Sequence, residues 1–309
     1  MPHLLNDEFV QDLLSGSLNS LLEYVIEDPS LDLQIRDNYI NIYYRGGNIL
    51  KVAKKGDGHE CFFDENYFKG NKINSKDKLF DLMHGSQWND YIPEAKQVMD
   101  RFFGATENEE REYQQLVVRD NNRSSLANGT DFFIIDVEYN YPRIGIFDMV
   151  AIEWLSEGPK RKFPEKYKPR LYIIEMKYGD KALKGKAGLL DHHKQYHHFL
   201  ANEPFLEQFK REMISLFDQK RDLGLIPCLS KTNNPNRVTM FDEDIRFAYL
   251  LANHDPASKL LIKELDMFEN HDVNFIVSNF MGYGIYQEAV YNYDDFRRLY
   301  KQQIHINEI

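Results

Sequence analysis

Apolar residues recur at helical spacing between residues 8 and 28, where Phe9, Leu13, Leu14, Leu18, Leu21, Leu22 and Val25 form one stripe. The chain is therefore predicted to open with an amphipathic helix. The period then shortens to two. Leu31, Leu33 and Ile35 alternate with polar residues, Asp37-Asn38 turns the chain, and Tyr39 to Tyr44 form a second strand. Arg45-Gly46-Gly47-Asn48 supplies a tight turn before a third strand at Ile49 to Val52, and Cys61-Phe62-Phe63 reads as one more. Lys69 to Asp90 is polar and reads as a connector. This predicts an N-terminal accessory region over 1–90, a helix plus β meander, followed by a second domain over 91–309.

The second part alternates differently. A helix is predicted over 92–103 with Pro93 in its first turn, and Thr106-x-x-Glu109 is a capping box opening another helix to about Arg119. Strands are predicted near 131–138, 145–154 and 170–177, a long helical region over 187–218, and further strands at Ile245 to Ala252 and Val273 to Val277. A helix over 292–303, capped by Asn292, ends the chain. The fold class is α/β in the α+β sense, a mixed central sheet flanked by helices.

Two of the predicted strands carry charge where a sheet core wants none. Asp148 sits inside Gly145-Ile-Phe-Asp-Met-Val-Ala-Ile152, and Glu175-Met176-Lys177 inside Leu171-Tyr-Ile-Ile-Glu-Met-Lys-Tyr178. A strand alternates its faces, so Glu175 and Lys177 point the same way, about 6.6 Å apart. Burying such charges is costly unless they pair or hold a metal. A second Glu-x-Lys, Glu94-Ala-Lys96, falls in an ordinary helical stretch and is given no role.

In these residues the chain resembles the PD-(D/E)xK nuclease superfamily, of restriction-endonuclease-like fold, over about residues 105 to 205. Phe147 stands where many members have Pro. The resemblance implies a nuclease that hydrolyses DNA phosphodiester bonds with Mg²⁺, for which Mn²⁺ can substitute. It implies metal ligation by Asp148, Glu175 and the backbone carbonyl of Met176, with Lys177 beside the attacking water. It also implies a Glu on the helix before the first strand; Glu109, Glu110 and Glu112 are the candidates, of which Glu112 borders the apolar stripe. Some exonuclease-like members carry Gln-x-x-x-Tyr on the helix after the third strand; here the pattern is Gln195-x-x-x-Phe199, so only Gln195 carries over. Asp136 and Glu138 form a further same-face carboxylate pair.

Net charge is −11, which alone argues against a polyanionic partner. Its distribution says otherwise. Ten basic residues between Lys160 and Lys186 meet only three acidic ones, so Lys160, Arg161, Lys162, Lys181, Lys184 and Lys186 are candidate nucleic-acid contacts. Arg45, among tyrosines in the N-terminal turn, is another. Isolated Cys61 and Cys228, no signal-peptide pattern and no apolar run near the ~20 residues that span a bilayer predict a cytoplasmic protein with no membrane partner. A paired double-strand cut would need two sites, which leaves an oligomer open.

Two other readings compete. One is a non-catalytic nucleic-acid- or partner-binding protein that retains the nuclease fold. The other is a zinc hydrolase using His193 and His197, whose i, i+4 spacing suits one metal on one helix face. Lys194 occupies the place where the metalloprotease pattern needs its Glu.

Overall fold

A computed structural model of the chain describes residues 3–69, 76–105, 109–141, 145–185, 187–229, 237–255, 258–278 and 282–307. It is a mixed α/β structure with ten strands in two sheets and ten α-helices among the described residues. The chain divides into two compact units: Met1–Ser124 with Ser215–Pro235, and Ser125–Ile214 with Asn236–Ile309. The boundary thus lies at residue 124, not near residue 90, because the helices after residue 76 belong to the first unit's core. No described helix is long and apolar enough to cross a membrane.

The first unit opens with two helices, α1 (Asp7–Ser15) and α2 (Asn19–Glu27), rather than one. Gly16 ends α1, its N–H returning to the carbonyls of Gln11 and Asp12. The predicted meander follows as β1 (Leu31–Ile35), β2 (Tyr39–Tyr44), β3 (Gly47–Lys55) and β4 (Gly58–Phe62), all antiparallel in sequence order. Pairing of Tyr44 with Gly47 leaves Arg45 and Gly46 as a two-residue loop, both at positive φ (51° and 76°). That is the turn geometry whose twist matches a hairpin.

Helix α3 (Lys76–His84) occupies part of the predicted connector, burying Leu79 and Met83. Helix α4 (Trp88–Ala105) starts earlier than predicted and so encloses Pro93; burial of Trp88 and Tyr91 extends it backwards. Helix α5 (Glu109–Val118) follows; Thr106 of the predicted capping box lies outside the described residues. The unit's core also holds a polar chain, in which buried Lys220 donates to Gln34 Oε1 and Gln34 donates to Asp32 Oδ2, both at 2.7 Å.

The second unit is built on a six-stranded sheet. In chain order its elements are β5 (Phe132–Tyr141), β6 (Gly145–Glu153), the short α6 (Gly158–Lys162), β7 (Arg170–Tyr178), α7 (Leu189–Leu200) and α8 (Glu203–Asp222), whose last turns belong to the first unit. Then come β8 (Ile245–Ala252), α9 (Lys259–Leu265), β9 (Asn274–Ser278), β10 (Val290–Asn292) and α10 (Tyr293–Asn307). The sheet order is β10-β9-β8-β7-β6-β5. Strands β5, β6 and β7 pair antiparallel, β7, β8 and β9 parallel, and β10 antiparallel to β9. A parallel step needs a long crossover, and α7 with α8 fills the one between β7 and β8.

Helix α7 packs on β7 and β8. The Tyr196 hydroxyl donates to the Ile245 carbonyl at 2.8 Å, its ring stacks on Phe247 with centroids 4.8 Å apart, and the Tyr249 hydroxyl donates to the Leu189 carbonyl. These contacts fix which α7 residues lie over the Glu-x-Lys strand.

Candidate active site

The β6–β7 ladder is paired from Glu153 with Arg170 to Met149 with Ile174 and then stops. One further step in the same register sets Asp148 across from Glu175. The backbone pairing is replaced there by a side chain: Asp148 Oδ2 accepts from the Met176 N–H at 2.8 Å. Asp148 is half-buried and Met176 fully buried. The structure thus brings Asp148 to the residue between Glu175 and Lys177.

Glu175 and Lys177 are 2 % and 4 % exposed, and Lys177 Nζ donates to Glu175 Oε1 at 2.7 Å. His192, from the first turn of α7, brings its Nε2 to 3.0 Å from the same oxygen. Burial works against ionisation of Glu175, but His192 and Lys177 outweigh it and hold the carboxyl below the usual range. The second oxygen, Oε2, is buried and has no hydrogen-bond partner. An ionised oxygen left this way is costly unless something cationic meets it. The sequence did not single out His192, although the run of histidines on α7 was its only available signal.

Gln195, one turn further along α7, is half-buried and lies over the start of β6; a Cβ on Gly145 would come within 2.7 Å of its Oε1. That Oε1 is likewise buried without a partner. Asp136 is fully buried, with its carboxylate on the N–H of Val137, and Glu138 sits at φ 52°.

Other predicted residues are placed differently. Glu112 belongs to the first unit, where its carboxylate accepts two hydrogen bonds from Arg45, at 3.0 and 3.2 Å. Arg45 also pairs with Asp100 at 3.1 Å and lies 5.7 Å from the Phe103 ring centroid. The two residues satisfy each other beside a cavity of about 350 Å³, so neither is presented as a free ligand.

The basic cluster is split. Lys160, Arg161 and Lys162 form α6, before β7, and Lys160 lines a cavity of about 400 Å³ with Lys168 and Arg170. Arg170 is five residues from Glu175, roughly 17 Å along a strand, so this group stands at the opposite end of β7. Arg161 is not a surface contact at all: it is buried, and its guanidinium donates to the carbonyls of Thr130, Trp154 and Leu155. Its charge is spent on backbone acceptors just outside the ends of β5 and β6. Lys160 pairs with Glu157 at 2.8 Å. Lys181 and Lys184 follow the Lys177 end of β7 and are exposed; Lys186 lies outside the described residues.

One more constellation emerges on α7. His193 and His197 meet Asp272, which precedes β9, in the one group of three metal-capable side chains found among the described residues.

No protein-family model, curated protein or solved structure matches this chain.

Proposed function

We propose that the chain is a metal-dependent nuclease hydrolysing phosphodiester bonds, with DNA as the favoured substrate and the cytoplasm as its compartment. The observation that carries the reading is the unpartnered, buried Oε2 of the ionised Glu175 carboxyl, whose other oxygen is paired with Lys177, one residue from the Asp148 contact. The strand order supports it: an antiparallel β5-β6-β7, with Asp on the second strand and Glu-x-Lys on the third, then a helical crossover to a parallel β8. This arrangement resembles the restriction-endonuclease-like core.

Asp148 and Glu175 would hold Mg²⁺, a cation that takes one or two protein carboxylates together with waters and phosphate oxygens. Bound there, the ion would supply Lewis-acid polarisation of the phosphate and a more acidic water. Lys177 stabilises negative charge on phosphorus and on the attacking oxygen. His192 and Lys177 keep Glu175 ionised, so its lone pairs stay available. Exposed Lys181 and Lys184 lie on the side from which a phosphate backbone would approach.

A second reading is favoured by one observation. Glu175 and Lys177 are almost closed to solvent, which suits a non-catalytic binding protein that retains the fold. Nicking of supercoiled plasmid under Mg²⁺ or Mn²⁺ titration separates the two. Cleavage that needs divalent metal and is lost in Asp148→Asn and Lys177→Met supports the nuclease. A folded wild-type protein that cuts neither DNA nor RNA at any metal concentration overturns it.

A further inference from the structure

We infer a second metal site, for a zinc-type divalent cation, formed by His193, His197 and Asp272 and clamping α7 to the loop before β9. It stands on different residues from the proposed nuclease centre and does not depend on that reading.

The three ligand atoms form a nearly equilateral triangle. His193 Nε2 is 3.1 Å from Asp272 Oδ1, His197 Nε2 is 3.3 Å from the same oxygen, and the two Nε2 atoms are 3.2 Å apart. Ligands about 2.0–2.1 Å from a tetrahedral zinc sit about 3.3–3.4 Å from one another. The observed triangle is close to one face of that tetrahedron.

Protons join at most two sides of the same triangle. An imidazole nitrogen carries either a proton or a lone pair. If His193 Nε2 donates to Asp272, it has nothing with which to accept from His197; if it accepts from His197, its lone pair faces a carboxylate oxygen. Two neutral rings can each donate from Nε2 to Asp272 Oδ1, which leaves the Nε2 atoms 3.2 Å apart with no bond between them. One cation shared by three lone pairs engages all three ligand atoms at once.

The surroundings suit a site of this kind. His193 is buried, with the Phe268 ring 4.9 Å and the Phe247 ring 6.1 Å from its own. His197 and Asp272 are 34 % and 50 % exposed, so a fourth position opens to water. Two imidazoles with one carboxylate select a first-row transition ion over Mg²⁺, which prefers oxygen. The i+1 residue, Lys194, is exposed and cannot act as the base of a His-Glu-x-x-His hydrolase. The inferred role is therefore a clamp.

The test uses the full chain without a histidine tag, stripped with EDTA and titrated with Zn²⁺, and with Co²⁺ as a visible-absorption probe. The expected result is one equivalent bound, a raised Tm, and no displacement by excess Mg²⁺. Asp272→Asn and His197→Ala replace partly exposed groups, so both should fold by circular dichroism. Each is expected to weaken binding at least tenfold and to abolish the Tm rise. Failure of the folded wild-type chain to bind one equivalent, or unchanged affinity in both variants, would overturn the site.

Discussion

Lys177 Nζ and Glu175 Oε1 lie 2.7 Å apart, two residues along one strand, with both side chains shut off from water. Removing one member of a buried pair strands the other's charge, typically at a cost of about 3–5 kcal/mol. His192 also faces Glu175 and softens that cost. Lys177→Met is expected to lower stability by about 3 kcal/mol, read from urea unfolding. Adding Glu175→Gln should restore at least half of the loss. An additive double variant would show that the two residues do not interact.

Asp148 has two candidate jobs, and they separate by substitution. As an acceptor for the Met176 N–H it is replaceable by Asn, whose carbonyl oxygen can take the same bond. Asp148→Ala leaves that N–H without its partner and should cost about 1–3 kcal/mol. Asp148→Asn should unfold at the wild-type urea midpoint. If it also cleaves like wild type, the carboxylate serves the ladder end and not a metal.

Cys61, half-buried on β4, gives a pH prediction. Burial, with a smaller contribution from Glu60, pushes its thiol up to about 11 from the ordinary 9.0. Below pH 9 both the folded and unfolded thiols hold their proton, so the group adds no pH dependence. Between 9 and 11 the unfolded chain loses the proton first, and stability should fall as pH rises. At pH 9, iodoacetamide should label Cys61 much more slowly in the native protein than in urea, as followed by peptide mass spectrometry. Equal rates would contradict the shift.

Asn292 caps α10, accepting from the Asp295 N–H at 2.9 Å while its amide donates to the Asp295 carboxylate at 2.8 Å. Asn292→Ala should cost about 1 kcal/mol and Asn292→Asp much less on the cap bond alone. Thermal unfolding of the two variants checks the order.

Strongly periodic segments were legible in the sequence. The meander β1–β4, the strands β5–β8 and the Asn292 cap fall within a few residues of their predicted places, because alternation and turn chemistry are local signals. Helices α3 and α9 were missed because each buries only a few side chains of a short, charged segment. Strand β10 has three residues and takes its identity from pairing with β9. Within the candidate site, Asp148, Glu175 and Lys177 stood out as charges in apolar strands. His192 and Asp272 could not stand out, since their partners lie 17 and 79 residues away. Arg45 and Glu112 looked like separate candidates for the same reason: only the fold reveals that each answers the other.

The bond from Lys220 to Gln34 ties a residue made late in translation to one made early. While the ribosome is still adding residues beyond 124, the amide of Gln34 has no ammonium to meet, and the first unit waits unfinished. Strands β5, β6 and β7 all emerge in that interval. A fragment ending at residue 124 should therefore be more easily digested by protease than the same residues in the whole protein.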